Sequence, residues 1–195
     1  MKELFLSLYN NIETFILSIG YFGVLVTALC IVFESIIPIV PVALFFALSC
    51  MILGKIYGLI VAYIATIIGC MLSYILVSKI FRDKFHHFLS KKKAGRKVLA
   101  FVDSASVTSL TVIMAIPFAP AFLVNIAAGL SDKVTKKTFL ISLLIGKAFL
   151  VYFWGFIGTS LKNSLSDPLI IVKIIIMLLI AYIISQIVNK KLGVK

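Results

Sequence analysis

Four stretches of this chain carry no charged side chain at all: Thr14 to Phe33, Ser35 to Gly54, Ile56 to Ser78 and Ala105 to Ser131. Each reaches the roughly 20 residues that an apolar helix needs to cross a bilayer. Hydrocarbon offers the backbone no hydrogen-bonding partner, so runs of this length must close their bonds internally. With 62% hydrophobic and only 13% charged residues, the 195-residue chain cannot clothe itself as a soluble domain. The expected fold class is an all-α integral membrane protein, a single membrane domain over 1–195. Its first apolar run has no small-residue cleavage site followed by soluble sequence, and reads as a retained span.

Prolines interrupt two of these runs. Pro38/Pro41 and Pro117/Pro120 form PxxP pairs 79 positions apart, both in uncharged apolar sequence. Proline removes a backbone donor and clashes with the preceding turn, so each pair breaks a helix. A broken helix at membrane depth must be buried in protein or line a wet cavity. Matching breaks in two halves of a chain point to a transporter-type binding site.

Charge then gives direction. The net charge is +12. Residues 82–97 hold seven basic side chains against Asp83 alone, and Lys133, Lys136, Lys137, Lys190, Lys191 and Lys195 follow. Such segments stay cytoplasmic. Fixing them inside predicts a span over 14–33, a re-entrant hairpin over 35–54 and a return span over 56–80. A basic amphipathic cytoplasmic segment over 82–104 follows, lying in the interface. A second re-entrant hairpin, 105–131, enters from the opposite face, and spans over 138–160 and 168–188 complete the chain. Both termini are expected in the cytoplasm of a cell-membrane protein with about four transmembrane helices and opposed hairpins, an inverted repeat. The intervals from Pro41 to Gly69 and from Pro120 to Gly146 are 28 and 26 residues, so the register of the halves drifts by two.

The basic segments also fit anionic lipid headgroups; with no soluble module around them, nucleic acid is not an expected partner. Cys30, Cys50 and Cys70 lie in apolar sequence without a CxxC, and His86 and His87 point in different directions on a helix, so neither set forms a metal site. No cofactor is expected. HExxH, GxSxG and P-loop motifs are missing, which argues against an enzyme. A homo-oligomer stays open.

Of the seven acidic residues, Glu34 alone is embedded in apolar sequence, four positions before Pro38. Charged groups inside membrane segments are costly and mark ion or substrate pathways; the plainer alternative is a hydrated carboxylate at the outer interface. Lys147 sits mid-way along the 138–160 run, directly after Gly146 and too deep to snorkel easily. It suits a pair with Glu34 or a lipid phosphate. Asn125 offers donors and an acceptor where unwound backbone needs partners. A structural role fits it as well as a substrate role.

FESIIPIVP (Phe33–Pro41), with the small-residue limb ending at Gly54, resembles the first hairpin of the DedA family, also called the SNARE-associated Golgi protein or VTT-domain family. The likeness continues through IPFAPAFLVNIAAGLS (Ile116–Ser131), notably Pro117, Asn125, Ala128 and Gly129, and through TFLISLLIGKAFLVYFWGFIG (Thr138–Gly158) with Gly146-Lys147. Membership implies opposed re-entrant hairpins and lipid movement between leaflets, coupled in some bacterial members to protons through embedded acids. Glu34 matches the first acid of the family pattern. The chain departs at Val42, Ala43 and Leu44, where many members carry a second acid. It departs again at Pro120, where many have arginine, and at Lys147, where the closer branch usually has arginine.

The expected function is a lipid transporter, with undecaprenyl phosphate favoured if the source is bacterial. A headgroup enters between the hairpins, its phosphate meets Lys147, and Glu34 binds a proton or balances that charge. Pro38, Pro41, Pro117, Pro120, Asn125, Gly129 and Gly146 outline the pathway. Phospholipid scrambling, a proton-coupled ion or small-solute transporter, and a non-transporting lipid-binding scaffold are the alternatives.

Overall fold

The computed structural model describes residues 21–38, 42–91, 93–119, 121–164 and 168–192. Pro41, Pro120 and the expected span before residue 21 lie outside the described residues. Among those described, secondary structure is helical throughout.

Helix α1 (Tyr21–Ile36) runs through Phe33, Glu34 and Ser35 without interruption. The Ser35 hydroxyl donates to the Ile31 carbonyl at 2.9 Å, satisfied inside its own helix. The Ile37 amide still donates to Phe33 at 2.9 Å, and the helix stops only before Pro38, which bars its predecessor from helical geometry. The expected boundary between a span ending at 33 and a hairpin starting at 35 is therefore corrected: an acid and a serine do not end a helix that proline ends three residues later.

Helix α2 (Val42–Lys79) breaks at Gly54, with φ 75 and ψ 168, a conformation that essentially only glycine adopts. There the chain folds back on itself, and Gly58 abuts the Cys50 backbone. Limb 42–53 is thus antiparallel to limb 55–79. Helix α1 runs parallel to limb 55–79: Gly69 has no room for a Cβ, which would lie 2.7 Å from Ser35 Cβ and 2.8 Å from the Val32 carbonyl. Beyond that contact, Ile36 and Ile37 reach the groove beside Ser73. Helix α1 and limb 42–53 are consequently antiparallel and form one unit, with Ile37 and Pro38 at the tip of α1.

Helices α3 (Arg82–Lys91) and α4 (Lys93–Ser104) replace the single interfacial helix expected over 82–104. Leu89, Val98 and Val102 are fully buried. The apolar face of this segment is therefore covered by protein, while its basic side chains mark one end of the molecule.

Helix α5 (Val107–Ala115) starts at Ser106, whose hydroxyl accepts from the Ser109 amide at 3.2 Å, an ordinary N-cap. Helix α6 (Ala121–Leu130) follows a turn containing Pro117 and Phe118. Helix α7 (Lys136–Ser164) is antiparallel to limb 55–79. Tyr74 stacks on Phe139 with ring centroids 4.7 Å apart near the basic end, and Gly155 lies against Leu59 and Cys50 at the other. The Ser142 hydroxyl donates to the Val107 carbonyl at 3.1 Å, and Gly146 abuts Thr111 and Met114. Helix α5 therefore rises with α7 from the basic end. Helix α6 returns to that end: Asn125 meets Cys70, and Gly129 meets Tyr74 and Val77. Helix α1 thus runs toward the basic end and α5 away from it, and Pro38 and Phe118, beside the two breaks, line one cavity.

Helix α8 (Pro168–Leu192) opens with proline in its first turn, where the missing amide costs nothing. Among the described residues, two stretches are long and apolar enough to cross a membrane, Ile52–Lys79 and Lys136–Ile157, and shorter apolar stretches include Ile175–Val188. Phe22, Leu29, Ile56, Phe149, Ile176 and Ile183 are each more than half exposed, an exterior that water penalises and lipid does not.

Candidate functional site: a cavity between two helix breaks

Where the two tips approach, a cavity of 460 Å³ opens at the centre of the bundle. Glu34, Ser35 and Pro38 line it from the first unit, Thr66 and Cys70 from limb 55–79, Ile116, Phe118 and Asn125 from the second unit, and Lys147 and Trp154 from α7. Most of the wall is apolar, so the few polar groups decide what it can hold.

Lys147 is only 4% exposed. Its register follows from Gly146: the glycine turns inward to let α7 touch α5, and the next side chain turns toward the cavity. Glu34 stands across from it, near enough for the two charges to act on each other. No ion pair within 4 Å closes between them, so a buried cation and an acid share this cavity without neutralising each other directly.

Asn125 is 1% exposed, and its Nδ2 donates to Cys70 Sγ at 3.3 Å, while Oδ1 has no partner. Turning the amide over would let the thiol donate to Oδ1 and leave Nδ2 facing the cavity instead. In either orientation one polar atom is orphaned, a cost of ~1–3 kcal/mol that a ligand or water can relieve. Ser35 and Thr66 already donate to the Ile31 and Ala62 carbonyls, at 2.9 and 2.7 Å, so their hydroxyls offer only acceptor capacity.

Limb 42–53 and helix α6 both begin at the cavity, since Val42 and Ala121 line it. The Ala121 amide is already turned onto the Ala119 carbonyl at 2.7 Å, and the positive ends of two helix dipoles face the cavity with Lys147. Phe118 sits beside them with φ 62, unusual for a side chain of its size. Its ring meets Trp154 edge-on at 5.2 Å and Tyr182 at 6.5 Å, contacts that hold the strained tip in place.

Of the residues singled out in the sequence, Glu34, Pro38, Asn125 and Lys147 come together here. Gly146 and Gly129 do not line the cavity: they permit close packing of α7 on α5 and of α6 on limb 55–79. Pro117 lies in the turn below it. Cys70, Phe118 and Trp154 were not anticipated. Only Cys70 had a readable signal, since Gly69-Cys70 parallels Gly146-Lys147.

Long apolar helices with lipid-compatible exteriors, packed around a mostly apolar cavity that holds one cation and one acid, define a helical membrane protein. Residues 37–160 match the VTT domain, and the chain belongs to this VTT-domain (DedA) family, whose members are linked to membrane transport rather than to catalysis. It is 24% identical over 148 residues to an uncharacterized membrane protein of Bacillus subtilis (strain 168), YhjE, covering 76% of this chain and 71% of that one. Over 128 residues it is 30% identical to the uncharacterized protein YqeD of the same organism, covering 66% and 61%, less than two thirds of that relative's length. No solved structure matches the chain.

Proposed function

We propose that this protein moves a phosphate-bearing lipid between leaflets, with the headgroup passing through the central cavity and the tail remaining in the bilayer. The observation that carries this reading is the convergence of buried Lys147, the orphaned Asn125 amide and two helix N-termini on one space. A buried cation beside an incompletely paired side-chain amide and two helix N-termini suits an anion. In a bilayer the two units would act as re-entrant hairpins entering from opposite faces, with α3, α4 and the end of α8 on the cytoplasmic side. Both termini are assigned to that side, and anionic headgroups collect at its basic surface. Undecaprenyl phosphate is the favoured cargo in a bacterial membrane. Glu34 carries a proton or balances Lys147 when no phosphate is bound.

Phospholipid scrambling would use the same cavity without a gradient. A proton-coupled solute transporter would use Glu34 as its proton site, and the position of that acid on the cavity wall favours keeping this reading in the test. The test is a leaflet-resolved assay in proteoliposomes with labelled polyprenyl phosphate or phospholipid, with and without a proton gradient. Lys147→Ala should abolish movement of the phosphate lipid in a protein that still folds. Undiminished movement in that variant removes Lys147 from the mechanism, and solute flux without lipid movement replaces the lipid reading by the solute one.

A further inference from the structure

Two grooves on the outside of the molecule border the cavity. One, of 540 Å³, follows the outer face of α1 past Val26, Leu29 and Phe33, with Glu34 its one charged lining residue. The other, of 490 Å³, runs from Lys84 on α3 past Phe81 and Val77 to the tip of the first unit. Ile36 and Ile37 line both grooves. Glu34 is shared by the first groove and the cavity, and Phe122 by the second groove and the cavity. The three spaces are therefore neighbours, parted by a few side chains at the tip of the first unit.

We infer that the two grooves form one furrow that holds the hydrocarbon tail of an anionic lipid while its headgroup occupies the cavity. This rests on the lipid-transport reading and says where on the protein the rest of the substrate lies. Adjacency selects the occupant. A small soluble anion would need the cavity alone, whereas a molecule with an apolar chain attached to its phosphate needs an apolar slot opening sideways from the polar space.

Charge selects it again. The Lys84 ammonium lies over the Phe81 ring, 6.0 Å from its centroid, at the basic end of the second groove. An anionic headgroup arriving from that leaflet meets Lys84 first, with its tail already directed along Val77 toward Ile37. From there the headgroup passes Phe122 into the cavity. It leaves past Glu34 while the tail swings about the Ile36–Ile37 junction into the first groove. Ile37, 47% exposed and not part of the cavity lining, is the pivot.

A phosphatidic acid carrying a diazirine in its acyl chain, in phosphatidylcholine vesicles, tests the furrow by photolabelling; movement of the same lipid tests transport. Labelling should concentrate on peptides containing Ile36, Ile37, Phe81 and Phe122. Excess unlabelled phosphatidic acid should compete, and soluble glycerol phosphate should not. Lys84→Glu should lower labelling about fivefold or more, the scale of losing one surface charge contact. Ile37→Trp, which fills the junction, should slow transport about tenfold or more while leaving labelling at Phe81, the basic end. Lys84→Glu changes an exposed side chain, so it serves if Ile37→Trp fails to fold.

Labelling spread over the exposed faces of α1 and α8 in proportion to their area, or competition by glycerol phosphate, overturns the furrow. So does normal transport by folded Ile37→Trp. If the unaltered protein moves no lipid yet shows the competed, Lys84-dependent labelling, the furrow stands as a lipid site and the transport reading falls.

Discussion

In the first half of the molecule, Val32 and Ser35 precede Pro38 by six and three positions and lie against Gly69; in the second, Thr111 and Met114 precede Pro117 by the same intervals and lie against Gly146. A shift of 79 positions also carries Val42 onto Ala121, the two cavity-facing helix starts, and Phe46 onto Asn125, both fully or almost fully buried at the cavity wall. The scaffolding of the two breaks corresponds, and their furnishing does not. Glu34 falls on Ile113, and Cys70, which follows Gly69, stands where Lys147 follows Gly146. The acid belongs to one half, and the cation and the amide to the other. Common packing fixes where the cavity is, and unmatched side chains give it polarity across its width.

The largest effect should come from erasing that polarity. Lys147→Met removes the buried cation while keeping its bulk, and should reduce lipid movement about a hundredfold, the scale of losing a charged contact of ~3 kcal/mol. Stability should hold or rise by ~1–3 kcal/mol, because a buried cation without a direct ion pair is costly to desolvate. Transport and thermal unfolding are to be measured on the same preparation. A fall in stability with transport intact would make Lys147 a structural residue. Moving the cation by combining Cys70→Lys with Lys147→Cys sharpens the comparison. Recovered transport would show that the two halves are interchangeable, and we expect none, because Cys70 is already engaged by Asn125.

Packing comes next. Gly69→Ala and Gly146→Ala each place a methyl within 3 Å of neighbouring backbone or Cβ atoms, and each should cost ~1–3 kcal/mol through the shifts it forces. Gly54→Ala should cost a similar ~1–3 kcal/mol for a different reason: nothing crowds the added carbon, but φ 75 with ψ 168 excludes it. Unequal costs at Gly69 and Gly146 in thermal unfolding would break the correspondence between the halves where it is tightest.

Much of this was legible in the sequence, and the errors have a common origin. Helical membrane class, the two breaks and the trio Glu34, Asn125 and Lys147 follow from apolar runs, prolines and misplaced polar residues. The limits of the first unit do not. Reading Glu34 as a boundary split a continuous helix, because a charge marks cost to a membrane but does not stop a helix, whereas proline does. Residues 82–104 carry an amphipathic pattern that is the same whether lipid or protein covers the apolar face; only the fold shows that Leu89, Val98 and Val102 face protein. Trp154 and Phe118 look like any lipid-facing aromatics until a strained turn brings them together.

Asn125 and Phe46 allow a finer test of the difference between halves. Asn125→Leu removes an orphaned polar atom and a weak hydrogen bond to sulfur, so stability should change by no more than ~1 kcal/mol in either direction. Transport should fall about tenfold if the amide contributes one hydrogen bond of ~1–1.5 kcal/mol to the headgroup. If Asn125→Leu destabilises strongly and leaves transport per folded molecule unchanged, the amide belongs to the packing, as Phe46 does in the other half.

The smallest effects lie at the far ends of the returning limbs. Limb 42–53 ends in the Gly54 backbone, whereas α6 ends under a side chain: Arg82 donates to the Leu130 carbonyl at 3.2 Å and to Asp132 Oδ1 at 2.6 Å. The ion pair looks the stronger contact by distance, yet its side chains are 46% and 85% exposed, and such pairs contribute ~0–1 kcal/mol. The carbonyl contact satisfies one of the orphan acceptors of the last helical turn, which has no other partner supplied by the helix itself. Arg82→Ala should therefore cost about 1 kcal/mol and Asp132→Ala within ~0.5 kcal/mol, with only the latter cost vanishing in high salt. Equal, salt-sensitive costs would mean that the second limb is held by the surface pair and not by the cap, and that its end is as weakly specified as any exposed helix terminus.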